Sequence, residues 1–308
     1  MNDIHGPELV RRYKTNYGIP DGAPITEAMI RHHWALERRL TRELLSSEPA
    51  HRWDVFEHCY TTLYSELPWL NDLTGTLSSE SGDEAEDWSR LVGPPPKRIY
   101  EVGSGRGRLV AALAGRGYEC TATEITRERG SKWTAARPSL RWTVSDGVHL
   151  ERFEAPESYD AVISDQVIEH LHPDDLVAHF AGVRAILKPG GRYAFATPHA
   201  FEGPFDVSRV FGSEQPQGMH LKEYTYRDLQ RAVYAAGFER IDAVFRLPRA
   251  VRARCGRRPY PRRSRSYLLY LSSIERVISR FPRRLRRHAA GVLRLALWPS
   301  GIALVATA

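Results

Sequence analysis

Cysteine and methionine are scarce in this 308-residue chain, at three each, and lysine is outnumbered by arginine, 5 to 39. Cys59, Cys120 and Cys255 share no C-x-x-C spacing, which argues against a disulfide framework and against a cysteine zinc site. A reducing cytoplasm is the expectation from that usage. No apolar stretch of signal-peptide type follows the opening MNDIHGPELVRRYKTNYG, so no secretory signal is expected. Acids are nearly missing from one end. From Ala243 onward there are 16 arginines against a single acid, Glu275, a local charge of +15. The whole chain carries +7, so the first 242 residues sum to −8 (7 − 15). A basic segment on an acidic body points to an appendage with its own partner rather than to a globally basic nucleic-acid binder.

Residues 1–77 are patterned as amphipathic helices. TEAMIRHHWALERRLTRELL sets Met29, Leu36, Leu40 and Leu44 at three- and four-residue steps, and HRWDVFEHCYTTLYSELPWL repeats the pattern up to Pro68. The acidic run SSESGDEAEDWSR and Pro94-Pro95-Pro96 then read as a linker over 78–96. From Lys97 strands and helices alternate, which predicts a mostly parallel sheet covered on both faces. Candidate strands are 98–102, 118–123, 140–145, 159–164, 192–197 and 240–245, and GIALVATA at 301–308 is expected as a seventh, antiparallel to the sixth. The fold expectation is a Rossmann-like seven-stranded sheet over 97–247 and 299–308. An arginine-rich helical insert at 248–298 separates strands six and seven, and an N-terminal helical segment caps the cleft. The run AAGVLRLALWPSGIALVATA has the length of a membrane span with basic flanking, but Pro299, Ser300 and Gly301 split it.

The chemistry-bearing stretch is RIYEVGSGRGRLVAALAGRGYECTATEI: strand, glycine turn, helix, strand, acid. Gly103, Gly105 and Gly107 let backbone approach a ligand closely, and Glu124 at the second strand's end can grip ribose hydroxyls. The dinucleotide fingerprint G-x-G-x-x-G fails at its last glycine, where Arg108 stands. Glycines and acid together do not separate a dinucleotide from a sulfonium cofactor.

Later motifs do. EVGSGRG (101–107), Glu124, SDG (145–147), YDAVISDQVIEHL (159–171) and LKPGGRYAFATP (187–198) occur in an order and spacing that resemble the class I S-adenosylmethionine-dependent methyltransferases. The resemblance implies S-adenosyl-L-methionine as cofactor, with Glu101, Gly103, Gly105, Gly107, Glu124, Asp146, Gly147, Asp165 and Gln166 around it. Glu124 would meet the ribose and Asp146 the adenine amino group. The D/N-P-P-Y motif of base N-methylation is absent, which favours an oxygen nucleophile. An alcohol must lose a proton as it attacks, so a general base is sought. His170, His199 and His220 are the candidates. Phe201, Phe205, Phe211 and Tyr224 are candidates to stack on an acceptor or to pack their loop. The stretch QVIEH resembles one that holds magnesium in quinone O-methyltransferases, but Gln166 replaces an acid there, and no metal is assigned.

GPFDVSRVF and HLKEYT resemble bacterial methyltransferases associated with saccharides and natural products, which implies a small hydroxylated acceptor. The insert admits three readings: a solvated basic face, docking at the inner membrane surface, or binding of an anionic polymer. Two rival functions stay open, a nucleic-acid-modifying methyltransferase and an idle cofactor-binding scaffold.

Overall fold

The computed structural model describes residues 4–69, 81–126, 138–245, 261–293, 298–299 and 301–308; Cys255 lies outside them. Two compact units divide the chain: Met1–Glu80 with Gly203–Glu223, and Ser81–Glu202 with Tyr224–Ala308.

The first unit contains α1 (Gly6–Tyr17), α2 (Glu27–Leu45) and α3 (Arg52–Glu66). Gly18 closes α1 in the left-handed conformation, and the Thr26 side chain caps α2 by accepting from the Met29 N–H. The buried stripe of α2 includes His33, Glu37 and Thr41 among its leucines. Those polar members are paired. Tyr13 Oη lies 2.8 Å from His33 Nδ1, and His33 Nε2 lies 2.7 Å from Glu37 Oε1. Glu37 Oε2 accepts from the Met219 N–H, and the Thr41 hydroxyl donates to the Gly218 carbonyl. Residues 203–223, placed in the sheet domain by sequence, therefore belong to this helical unit.

The second unit is built on one eight-stranded sheet in the order β3-β2-β1-β4-β5-β8-β6-β7. The strands are β1 (Arg98–Glu101), β2 (Glu119–Glu124), β3 (Leu140–Val144), β4 (Tyr159–Asp165), β5 (Leu187–Thr197), β6 (Arg240–Phe245), β7 (Arg262–Ser264) and β8 (Ile302–Thr307). β1 to β5 run parallel, and β8 pairs antiparallel with both β5 and β6. GIALVATA is thus the expected antiparallel strand, and among the described residues no helix is long and apolar enough to cross a membrane. The count is eight rather than seven because Arg262–Ser264 adds a short edge strand on β6. Three polar residues carry no apolar alternation to announce a strand.

Two-residue alternation sorts the core onto two faces. Ile99, Ala161, Ile163, Ala194 and Val305 face α4 (Ser81–Val92) and α5 (Arg108–Ala114). Tyr100, Val162, Tyr193, Phe195 and Leu304 face α6 (Leu176–Ile186), α7 (Tyr226–Ala235) and α8 (Arg265–Ile278). The expected linker at 78–96 is corrected by α4, whose Ala85, Trp88, Leu91 and Val92 are buried. Its acids had masked a sparse stripe at helical spacing. α9 (Arg283–Leu293) completes the helices described.

Candidate active site

β1 and β4 are neighbours, yet the chain leaves β1 toward β2 on one side and returns through β4 on the other. Ligands in open parallel sheets sit at the strand C-termini beside such a reversal. Two loops meet there. After β1, Gly103, Gly105 and Gly107 all adopt left-handed φ, at 66°, 55° and 65°. A Cβ at Gly103 would lie 2.7 Å from Cγ2 of Val167, in the loop after β4, so that position tolerates only glycine without displacement. The bend is tied to β2: Ser104 N–H donates to the Thr123 carbonyl at 2.7 Å, and Ser104 Oγ accepts from the Thr123 N–H at 3.0 Å.

Glu124 ends β2 and turns its carboxylate back onto the bend. Oε1 accepts from the Gly105 N–H at 2.7 Å and Oε2 from the Ile125 N–H at 3.2 Å. Burial pushes its pKa up to about 7, against the lowering effect of those two backbone donors. Glu101, the last residue of β1, is buried one loop away. After β3, Asp146 Oδ1 accepts from the N–H groups of Val148 and His149, each at 2.8 Å, and Oδ2 lies 3.0 Å from His149 Nδ1. Gly147 follows with φ 70°.

At the tip of β4, Asp165 is followed by Gln166, which holds φ 54°. A left-handed glutamine is uncommon, and backbone kept in sparse regions concentrates at functional sites. Val167 leads into a short turn, Ile168–His170. Its Glu169 is fully buried and accepts from the Thr197 hydroxyl at 2.8 Å, pinning the turn to β5. His170 is part-exposed at the turn's end. His172 is the cap of the next turn, its Nδ1 accepting from the Asp174 N–H.

The three candidate bases differ in their surroundings. His170 stands at the β4 exit. His199 is a correction: it is fully buried, with Nδ1 accepting from the Phe201 N–H at 3.1 Å and Nε2 3.2 Å from Glu275 Oε2. Phe201, Tyr226 and Trp298 pack around the ring, at centroid distances of 4.9, 5.4 and 5.1 Å. Its one lone pair is spent on a backbone N–H, so it has none to accept a proton from a substrate. His220 lies in the other unit, with Nδ1 3.0 Å from Glu223 Oε1, which also accepts from the Phe205 N–H. Of the aromatic candidates, Tyr224 is fully buried, Phe211 stacks on Trp34 at 5.0 Å, and Arg209 lies over Phe205. Arg286 lies over Phe201.

Sequence reasoning missed a buried chain behind the site. His179 Nδ1 lies 2.6 Å from the Gly147 carbonyl, its Nε2 2.8 Å from Tyr193 Oη, and that oxygen 2.7 Å from Ser164 Oγ. It links the loop after β3 to β4 and β5 through α6. Burial lowers the His179 pKa to about 4, so the ring stays neutral at physiological pH. A histidine on an otherwise apolar helix stripe, Leu176, Phe180 and Val183, was the available signal.

Residues 100–195 match a family described as "Methyltransferase domain". A ubiquinone biosynthesis O-methyltransferase of Xanthomonas campestris is 31% identical over 139 residues, covering 42% of this chain and 56% of that one. An S-adenosyl-L-methionine-dependent Diels-Alderase of Neonectria is 32% identical over 190 residues, covering 55% of this chain and 68% of the relative. The chain belongs to the class I S-adenosylmethionine-dependent methyltransferase family. A solved structure of the Burkholderia thailandensis 1,6-didemethyltoxoflavin-N1-methyltransferase agrees at a TM-score of 0.50 and 15% identity, over 85% of this chain and 90% of that one. At that identity the likeness speaks for the methyltransferase fold alone. The chain spans about half the length of the first curated relatives it matches, 46% in one case. Within the methyltransferase match fall the glycine bend, Glu124, Asp146, Asp165 and His170; His199 and His220 fall outside it.

Proposed function

We propose that this chain is an S-adenosylmethionine-dependent O-methyltransferase acting on a hydroxyl of a small acceptor, a saccharide or a glycosylated natural product or lipid. One observation carries the reading: a bend of three left-handed glycines at the switch point, with a buried carboxylate hydrogen-bonded to its middle member, inside the stretch 100–195 that matches a methyltransferase domain. The residues present fit the cofactor. Each Glu124 oxygen is used by one backbone donor and keeps a lone pair for a ribose hydroxyl. Asp146 Oδ2 can likewise accept from an adenine amino group. The three glycines let a bulky charged group come close to backbone, with Glu101, Gly147, Asp165 and Gln166 on adjoining strand ends.

When bound, the cofactor supplies an electrophilic methyl group on positively charged sulfur. An alcohol that takes this methyl must release its proton, and His170 receives it on an imidazole nitrogen. Glu169, locked to Thr197, fixes the turn that presents His170. Holding the acceptor oxygen in line supplies much of the remaining barrier reduction. The O-methyltransferase named among the relatives supports an oxygen acceptor. The relative named as a Diels-Alderase favours a second reading, in which the same cofactor fold binds its ligand and transfers no methyl group.

Calorimetry with S-adenosylmethionine and its demethylated product, followed by labelled-methyl transfer to a panel of hydroxylated acceptors, tests both readings. Heat plus a methyl ether product supports the first. Heat without transfer to any acceptor supports the second, and binding of a nicotinamide dinucleotide instead overturns both. His170→Gln is expected to lower kcat by roughly 10²- to 10⁴-fold with cofactor affinity unchanged.

A further inference from the structure

Among the described residues, α8 and α9 bury one face and leave the other unpartnered. Inward, α8 contributes Leu268, Leu271 and Ile278 to the core, and with them Glu275. Glu275 accepts from the N–H groups of Tyr226 and Arg227 at the start of α7 and pairs with His199, so the segment's one acid shows no charge at the surface. From Arg265 to Leu293 there are seven arginines, no lysine and no aspartate.

The outward face has a simple order. At about 100° per residue, Arg265 and Arg276 fall along one edge of α8 with Leu269, and Val277 and Tyr270 along the other, with Arg280 and Phe281 in the turn that follows the helix. Leu269, Val277, Leu285 and Val292 are each more than half exposed. Between the two helices runs a groove of about 560 Å³ lined by Ile274, Val277, Ile278, Phe281, Val292 and Leu293, almost wholly apolar. Among the described residues, no carboxylate pairs with Arg265, Arg276 or Arg280, which are exposed. A contiguous apolar patch of this kind is rarely left in water.

We infer that the α8–α9 face is a docking surface for an anionic lipid bilayer. The apolar edge enters the headgroup–acyl boundary while the arginine edge meets lipid phosphates, the division of labour of an interfacial amphipathic helix. The other occupants fit less well. A second copy placed on this face would set arginine against arginine, since each copy's acid points inward. A nucleic acid would match the arginines and leave the leucine and valine side chains facing phosphate. The inference does not depend on the methylation chemistry.

The test uses the full chain and sedimentation with vesicles, either pure phosphatidylcholine or containing about one third phosphatidylglycerol, at about 0.15 M salt. Binding is expected to the anionic vesicles and to be weak on the neutral ones. Arg276→Gln with Arg280→Gln should lower anionic binding roughly tenfold. The triple variant Val277→Ser, Phe281→Ser, Val292→Ser should lower it by at least as much with an unchanged circular dichroism melt, because all three side chains are exposed or line the open groove. No binding to anionic vesicles, or undiminished binding by the triple variant, overturns the inference. So does concentration-dependent dimerisation that the triple variant abolishes, or retention on RNA with vesicles ignored.

Discussion

Two buried glutamates sit at opposite ends of the same chemical problem. Glu275 is 1% exposed and Glu124 7%, and each accepts two backbone N–H groups. Glu275 has more: its donors are the first N–H groups of α7, at the positive end of that helix, and His199 adds a third. Among the described residues Glu124 has no cation and no third donor on its carboxylate, and its pKa is raised to about 7 by burial. One acid is satisfied by the fold. The other keeps acceptor capacity to spare, which is what the proposed cofactor-binding role requires. This difference separates a structural acid from a binding acid more sharply than burial does.

The comparison breaks most visibly at Glu275. Glu275→Ala strips the partner from two α7 N–H groups and from a buried imidazole, and should cost about 3–5 kcal/mol of unfolding free energy in urea melts. His199→Ala should follow it in direction, with a double-mutant cycle showing strong coupling. A stability loss under about 1 kcal/mol for Glu275→Ala would sink the structural assignment. Glu124→Gln should do the reverse. It keeps the shape and removes a poorly compensated buried charge, at the expense of one backbone N–H acceptor, so stability at pH 8 should change by no more than about 1 kcal/mol. Its cost appears in calorimetry instead, as roughly a 10- to 100-fold loss of S-adenosylmethionine affinity, the worth of hydrogen bonds to a charged acceptor.

Why one acid was visible in the sequence and the other was not is a matter of distance along the chain. Glu124 is legible because its surroundings are local: a strand, a glycine bend and an acid within 26 residues of Arg98, each with its own periodicity. The parallel order β1 to β5 follows for the same reason. Glu275 is 76 residues from His199 and 49 from Tyr226, and no local pattern announces the pairing. His199 reads as a loop histidine until Tyr226 and Trp298, far along the chain, close over it. α4 hid behind acids, and the Gly103 contact with Val167 exists only because β1 and β4 are neighbours. Periodicity and turn chemistry are written locally. Side-chain partnerships across the sheet are not.

Titration gives the finest discrimination between the two acids. Glu124 has an ordinary value of 4.5 and a folded value of about 7, so the unliganded fold favours its protonated form. That contribution to stability is fully present below pH 4.5 and is lost as pH rises to about 7. His179, at about 4 against an ordinary 6.5, works the other way: its contribution is present above pH 6.5 and is lost as pH falls toward 4. In the proposed reading, ribose hydroxyls donate to the ionised carboxylate and lower its pKa on binding. Cofactor affinity should therefore rise about tenfold from pH 6 to pH 8, with proton release near pH 7 measurable as a dependence of the binding heat on buffer ionisation enthalpy. Glu124→Gln should flatten that profile, whereas a substitution confined to the His199 pocket should leave its shape intact. An affinity that falls with pH, or a slope that survives Glu124→Gln, would place the binding acid elsewhere in the site.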